Sequence, residues 1–321
     1  MTNVNVATLW LVGGVMAVLA VATGIGQVLN LRIDTGLNPA VVAAFNLRLR
    51  AWWLMCSLLA VTFLVHEIAT VVLFGLISFW ALREFITLTP TRTADHRTLF
   101  WVFFLFTPLQ YILVGMGDKQ YGLYSVLIPV YAFLFVPARV AIAGDYKRFL
   151  ERTAKIQAGL MICVYCLSHA PALLSLRIAD YSDKMNGNAA LLFFFVLVVQ
   201  MGDVMQYAWE RLAGKHVVAP AISPNKTWEG FLGGVLSATL LGTLLWKATP
   251  FEPWQAALMS LLIAVMGFAG GLTMSAIKRD RGVRDYGTLV TGHGGVLDRL
   301  DSICFAAPVF FHVTRYFFQS V

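Results

Sequence analysis

The chain has 321 residues, of which 59% are hydrophobic and only 13% are charged, and its net charge is +7. Soluble domains carry about 25% charged residues, so this composition excludes an ordinary soluble protein and is typical of an integral membrane protein. The positive charge requires no nucleic acid partner, because anionic lipid headgroups attract Lys and Arg at the inner leaflet.

Apolar runs close to the ~20 residues that a bilayer-spanning helix needs recur along the whole chain. We identify ten predicted spans, which are Thr8–Leu31, Ala51–Val65, Ile68–Leu88, Leu99–Met116, Tyr121–Ala143, Ile156–Ala179, Ala189–Leu212, Gly230–Trp246, Trp254–Met274 and Ile303–Phe318. Only His66 and Glu67 separate the second run from the third, so a count of nine stays open. The first run is too long for a signal peptide and no basic residue precedes it, so we expect it to be retained. The sequence therefore predicts an all-α polytopic membrane protein with about ten transmembrane helices.

The basic residues are divided unevenly between the two sides of this predicted topology. With the N-terminus outside, all but five of the 24 Lys and Arg residues fall in connectors on the inner side. The five on the outer side are Lys119, Arg177, Lys184, Lys247 and Arg315. The positive-inside rule thus favours ten spans with both termini outside and the long polar connectors facing the cytoplasm. We expect the membrane to be a bacterial-type inner (plasma) membrane.

Polar chemistry concentrates in the C-terminal half, so we divide the chain into a transmembrane scaffold, residues 1–155, and a catalytic region, residues 156–321. Asp203 lies in the seventh predicted span, "VVQMGDVMQY". A carboxylate within a span costs roughly 2.5–3.5 kcal/mol, so it faces a polar cavity or a partner. A purely structural ion pair is the alternative interpretation, and Gln200 and Gln206 on the same helical face favour a site.

The segment "SPNKTWEGFLGG", residues 223–234, carries a second group of polar side chains. A serine followed by a proline predicts that a helix begins at Ser223, and Gly230 with Gly234 predicts close helix packing. Lys226 and Thr227 would add a cation and a hydroxyl to the free N–H groups of this helix start. That combination suits a bound phosphate.

The third group is the connector "SAIKRDRGVRDYGTLVTGHGGVLDRLDS", residues 275–302. Its four leading cations would be explained by headgroup anchoring alone. The His-Gly-Gly turn at 293–295, however, lets backbone approach a ligand, and Asp298 and Asp301 lie three residues apart on one helical face. One aspartate there could cap a helix, whereas two indicate ligands for Mg²⁺. Acidic oxygens, cations and glycine turns at a membrane surface suit phosphoryl or nucleotidyl transfer.

These two segments resemble the phosphatidate cytidylyltransferases (CDP-diacylglycerol synthases), and the resemblance covers about Gln200 to Ser302. The residues at the family's signature spacing are Ser275, Lys278, Arg279, Asp285, His293, Gly294, Gly295, Asp298, Arg299 and Asp301. The sequence departs from the family's pattern at two places that affect how a substrate would fit. Arg284 stands where the family usually has lysine, which changes the donor geometry. The small residues that usually follow the aspartate of the seventh span are replaced by the larger Val204, Met205 and Gln206.

The resemblance implies that a phosphate oxygen of phosphatidate attacks CTP, which gives CDP-diacylglycerol and pyrophosphate. It implies catalytic roles for Lys278, Asp285, Asp298 and Asp301. Mg²⁺, with K⁺ as a further ion, would be held by Asp203, Asp285, Asp298 and Asp301. The implied substrate-binding residues are Ser223, Lys226, Thr227, Arg279, Arg284, His293, Gly294, Gly295 and Arg299. Membrane lipids are expected partners, and a homodimer stays open.

Two other functions are compatible with parts of the sequence. A transporter of anionic solutes would also use buried aspartates and basic connectors, but it predicts polar sites near the bilayer midplane in both halves. Here the polar residues concentrate in connectors of one half, which disfavours it. A cytidylyltransferase that acts on another lipid phosphate fits the same residues as the phosphatidate enzyme does.

Overall fold

The computed structural model describes residues 66–89, 91–179, 181, 188–287 and 294–319, and scattered positions between 13 and 57. This described part contains eight long helices and one two-stranded hairpin. The helices are α1 (Glu67–Leu88), α2 (Thr93–Gly115), α3 (Asp118–Ile142), α4 (Phe149–Ser175), α5 (Ala189–Ala213), α6 (Trp228–Leu244), α7 (Pro253–Asp280) and α8 (Asp301–Phe318). The antiparallel strands β1 (Val217–Ala219) and β2 (Ser223–Thr227) lie between α5 and α6.

These eight helices coincide with the third to tenth predicted spans, and the prediction of an all-α polytopic membrane protein is confirmed. Six of them are long and apolar enough to cross a bilayer. The helices α6, with 17 residues, and α8, with 18 residues, are shorter. The first two predicted spans lie mostly outside the described residues, so the total of ten stays a prediction.

Three of the helices are continuous but irregular, because each contains a π-helical segment. These segments are Val102–Phe106 in α2, Leu127–Ala132 in α3 and Leu160–Cys166 in α4. Pro108, Pro129 and Pro171 lie within or shortly after them. Proline has no N–H and its ring clashes with the preceding turn, so a local widening of the helix accommodates it without ending the span.

The helices α5 and α6 approach closely because glycines face bulky side chains. A Cβ atom at Gly234 would lie 2.2 Å from Cγ of Gln206, and one at Gly230 would lie 2.3 Å from Cγ of Glu210. A Cβ atom at Gly234 would also lie 2.8 Å from the backbone Cα of Gln206, so a larger residue there would force the two helices apart. The predicted small-residue packing of this pair is therefore confirmed.

The apolar core lies between the helices, and the outer face of the bundle is also apolar. Phe195 on α5 stacks on Phe310 on α8 with ring centroids 5.2 Å apart, and both rings are buried. On α6 a stripe of exposed leucines repeats every four residues, and its members are Leu232, Leu236, Leu240 and Leu244. An apolar stripe that faces outward suits contact with lipid.

The two ends of the bundle differ in chemistry. Lys226, near the end of β2, lies beside Asp301 at the start of α8. At the other end of α8, Arg315 pairs with Asp118, and Nε2 of Gln319 donates to Oδ2 of Asp118 at 2.8 Å. The 18 residues of α8 extend about 27 Å. The hairpin and the turn between α2 and α3 therefore lie at opposite ends.

This arrangement predicts opposite sidedness for two exposed positions, Ala221 in the hairpin and Lys119 in the first turn of α3. In a variant whose four native cysteines are replaced, Ala221→Cys and Lys119→Cys should react with a membrane-impermeant maleimide from opposite sides. Intact and permeabilised membranes are compared for each variant. Reaction of both positions from the same side would contradict the arrangement of the helices.

Candidate active site

Two carboxylates from different helices meet at one serine. Ser302, in the first turn of α8, is 2% exposed. Its hydroxyl donates to Oδ1 of Asp203 on α5 at 2.9 Å, and its backbone N–H donates to Oδ1 of Asp301 at 2.8 Å. The prediction that Asp203 has a polar partner within the span is thus correct. The partner is a hydroxyl beside a second carboxylate rather than a direct ion pair.

Lys226 brings a positive charge to these two carboxylates. A Cβ atom at Gly271 on α7 would lie 3.1 Å from Nζ of Lys226 and 3.8 Å from Oδ2 of Asp301. The glycine therefore leaves open a space that both the ammonium and the carboxylate border. Nζ also lies 4.7 Å from the ring centroid of Phe268, and its Coulombic attraction reaches both Asp203 and Asp301.

Asp298 joins the two described parts of the connector, residues 275–287 and 294–302, which we call its limbs. Its Oδ1 accepts from Nζ of Lys278 at 2.9 Å, and its Oδ2 accepts the backbone N–H groups of Tyr286 and Gly295, both at 2.8 Å. The side chains of Lys278 and Asp298 are 13% and 4% exposed. A buried ion pair needs such additional hydrogen bonds to offset its desolvation. Both oxygens of this carboxylate are thus engaged by the protein itself.

Gly294 shapes the turn beside Asp298. Its φ is +81°, a conformation that L-residues with a side chain rarely adopt, and a Cβ atom there would lie 2.7 Å from Oδ2 of Asp298. On the opposite limb, the hydroxyl of Tyr286 donates to the carbonyl of Met274 at 3.0 Å. Burial raises the pKa of Tyr286, so its phenol stays protonated and keeps this hydrogen bond.

The cations of the connector occupy different environments. Nε of Arg279 donates to the carbonyl of Ile222 in the hairpin at 3.1 Å, which joins the end of α7 to the β1–β2 turn. Arg284 and Asp285 are exposed on the connector surface. The carbonyl of Arg299 accepts from Nε2 of Gln200 at 3.4 Å. His293, a predicted binding residue, lies outside the described residues.

The helix start predicted at Ser223 is wrong. Residues 223–227 form β2, with Ser223 opposite Ala219, and α6 begins at Trp228. Thr227 is the N-cap, because its Oγ1 accepts the backbone N–H of Gly230 at 3.1 Å. The serine and proline are extended since they pair with β1, and Lys226 consequently lies two residues before the helix.

The described residues contain no point at which three or more His, Cys, Asp or Glu side chains meet. The predicted set of Asp203, Asp285, Asp298 and Asp301 is thus not gathered around one centre there. Mg²⁺ in proteins is commonly bound by one or two carboxylates together with substrate phosphates. The pair of Asp203 and Asp301 fits that pattern, and Asp298 fits it less well because its oxygens already accept three hydrogen bonds.

Comparison with known proteins gives the family. The model of the cytidylyltransferase family matches residues 46–317. The chain belongs to the cytidylyltransferase family. Membership makes it a nucleotidyltransferase, and the matched range includes all eight helices of the described part except the last residue of α8.

Individual relatives match over different lengths. An Escherichia coli protein, "Uncharacterized protein YnbB", is 38% identical over 304 residues, which are 94% of this chain and 96% of that protein. The phosphatidate cytidylyltransferase of Staphylococcus haemolyticus is 38% identical over 131 residues, 40% of this chain and 50% of that enzyme. That of Mycobacterium leprae is 41% identical over 125 residues, 38% of this chain and 39% of that enzyme. This chain therefore spans half or less of the phosphatidate enzymes that it matches.

Sequence motifs do not point to two residues of the candidate site. Ser302 directly follows Asp301, but a serine at that position predicts no role by itself. Glu84 on α1 is 5% exposed, and its carboxylate accepts the backbone N–H groups of Val296 and Leu297. The available signal was an acidic residue in an apolar span, the same signal that identified Asp203.

The buried pair of Lys278 and Asp298 should contribute more to stability than the neighbouring pair of Arg281 and Asp280, in which the aspartate side chain is 66% exposed. We expect Lys278→Met to lower the free energy of unfolding by about 3 kcal/mol, because it leaves a buried carboxylate with only its two backbone donors. The matched control is Arg281→Met, which breaks the pair with the exposed Asp280 and should cost about 0–1 kcal/mol. Denaturant titration of the detergent-solubilised proteins measures both values, and equal losses would contradict the assigned burial.

Proposed function

We propose that this cytidylyltransferase transfers a cytidylyl group from CTP to a lipid phosphate, and that phosphatidate is its substrate. The products are then CDP-diacylglycerol and pyrophosphate. The observation that carries the proposal is the meeting of Asp203 and Asp301 at Ser302, with Lys226 facing them. This places acidic oxygens and a cation together within a membrane protein, which are the groups that a transfer between two phosphate-bearing substrates requires.

The proposed reaction is a substitution at phosphorus. A phosphate oxygen of the lipid attacks the α-phosphorus of CTP and forms the new P–O bond, while the bond to the β-phosphate breaks and pyrophosphate leaves. Both substrates are anions, so they repel each other unless positive charge is placed between them. Positioning and charge neutralisation carry such transfers, and no covalent intermediate on the protein is required.

We assign some of these residues to binding the substrate phosphates and others to binding Mg²⁺. In our proposal Lys226, Arg284 and Arg299 bind phosphates, and Asp203 and Asp301 would hold Mg²⁺. Bound Mg²⁺ would neutralise phosphate charge and orient the leaving group. Asp285 stays a predicted further ligand. The roles of Ser223, Thr227, His293 and K⁺ likewise stay predictions.

The orientation of the site is part of the proposal. CTP is a cytoplasmic nucleotide, and the connectors on the predicted side of the site together contain 19 of the 24 Lys and Arg residues. A cytoplasmic site in an inner membrane agrees with the positive-inside rule. It would bring a soluble triphosphate and a membrane-embedded phosphate to the same surface.

The positions of the departures after Asp203 favour phosphatidate as the substrate. Val204 is exposed on the outer face of α5, and Gln206 is buried against Gly234 of α6. Both side chains thus point away from the contact between Asp203 and Ser302. A related lipid phosphate is the second candidate, because the matches to the two named phosphatidate enzymes cover 40% of this chain or less, whereas the match to the uncharacterized Escherichia coli protein covers 94%.

Product analysis tests the reaction. Purified protein in mixed micelles is supplied with labelled CTP, Mg²⁺, K⁺ and a panel of lipid phosphates that includes phosphatidate and a polyprenyl phosphate. We expect labelled CDP-diacylglycerol and an equal amount of pyrophosphate with phosphatidate. Product with another lipid alone would favour the second candidate. No product with any lipid, from folded protein, would exclude the proposed function.

Substitution of single aspartates distinguishes a residue that binds the metal from one that stabilises the connector. Asp301→Asn keeps the shape of the side chain but removes its charge, so we expect activity to fall about a hundredfold or more with little change in thermal stability. Asp298→Asn should lower stability as well, because it weakens the pair with Lys278. The matched control is Asp280→Asn at the exposed end of α7. Full activity of Asp301→Asn at low Mg²⁺ would show that this carboxylate acts only within the helix start.

A further inference from the structure

Glu84 is a buried carboxylate that the proposed reaction does not use directly. It lies on α1, far from the connector in sequence. Its Oε1 accepts the backbone N–H of Val296 at 3.0 Å, and its Oε2 accepts that of Leu297 at 2.8 Å. Such charge-assisted hydrogen bonds are about twice as strong as neutral ones. The carboxylate therefore joins α1 to the connector.

The two carboxylates of Glu84 and Asp298 bind neighbouring parts of one turn. Asp298 accepts the N–H of Gly295, and Glu84 accepts the next two N–H groups, those of Val296 and Leu297. Leu297 begins a short 3₁₀ helix, Leu297–Arg299, whose first N–H groups have no acceptor within it. Three consecutive N–H groups are thus satisfied by side chains, which fixes the backbone that carries Asp298 and leads to Asp301.

Two glycines of the connector leave room for the carboxylate of Glu84. A Cβ atom at Gly295 would lie 2.4 Å from Oε2 of Glu84, and one at Gly287 would lie 2.7 Å from Oε1. Glycines on both limbs of the connector therefore leave room for the same side chain. Next to it, the ring of Phe85 stacks on Tyr286 with centroids 6.4 Å apart and an interplanar angle of 17°.

We propose that Glu84 is a positioning residue for the cytidylyl transfer, which holds the turn at 294–297 so that Asp298 and Asp301 keep their places. This inference rests on the proposed function for its kinetic consequence. Its structural part, that one carboxylate of α1 fixes the turn, stands on the hydrogen bonds alone. It also gives the N-terminal region a direct part in the site.

The test combines hydrogen exchange with kinetics on the purified full-length protein. Glu84→Gln keeps the size of the side chain, but it removes the charge and turns an NH₂ group toward one of the two N–H donors. We expect exchange of the amides of Val296 and Leu297 to accelerate at least about tenfold, as loss of hydrogen bonds to a charged group produces. The kcat should fall about a hundredfold, because small displacements of a reacting geometry have such effects. The KM for CTP should change much less.

The matched control is Ser78→Ala on the same helix. The hydroxyl of Ser78 is buried and donates to the carbonyl of Cys163 at 2.5 Å, away from the connector. This variant should lose some stability without changing exchange at 296–297 or kcat. A second variant, Gly287→Ala, keeps Glu84 but places a methyl group against it, and it should accelerate exchange at the same two amides. This variant decides the outcome if Glu84→Gln does not fold.

Unchanged exchange at Val296 and Leu297 in the folded variants would overturn the inference. So would a kcat within about twofold of the wild-type value despite faster exchange, since the connector would then move without effect on the reaction. A wild-type protein that makes no product with any lipid phosphate would overturn the proposed function instead. The exchange measurement would still decide whether Glu84 holds the turn.

Discussion

The site depends on the need to give every buried carboxylate a donor at the end of a membrane bundle. An unsatisfied charge in such surroundings is costly, and four acidic side chains are placed there. Asp203 and Asp301 share Ser302, Asp298 has Lys278 and two N–H groups, and Glu84 has two further N–H groups. These hydrogen bonds and the ion pair bring α1, α5, α7 and α8 together at one end of the bundle. The hairpin contributes Lys226 to the same place.

Hydropathy was sufficient to predict the helices, because the length of an apolar run is set by the bilayer rather than by tertiary contacts. The same reasoning identified Asp203, since an acidic residue in a span must be satisfied. The connector was recognised from its charges and glycines. The structure shows why Gly294 stands there, because the turn has a positive φ and passes close to Asp298.

Other features could not be predicted because they depend on contacts between distant segments. Glu84 and Leu297 are 213 residues apart, and no local pattern joins them. Ser223 resembled a helix cap, but pairing with β1 overrides that preference and moves the cap to Thr227. Asp298 resembled a metal ligand by its spacing from Asp301. Only the structure shows that three donors already surround its carboxylate.

We propose that Asp203 and Asp301, which lie on two different helices, bind one metal ion. Mn²⁺ can replace Mg²⁺ in crystals grown with a non-reactive CTP analogue, and anomalous scattering locates it. We expect an Mn²⁺ ion bound by carboxylate oxygens of both Asp203 and Asp301, with the nucleotide phosphates completing its ligands. An ion bound at Asp285 and Asp298, with Asp203 still on Ser302 and remote from the metal, would contradict it.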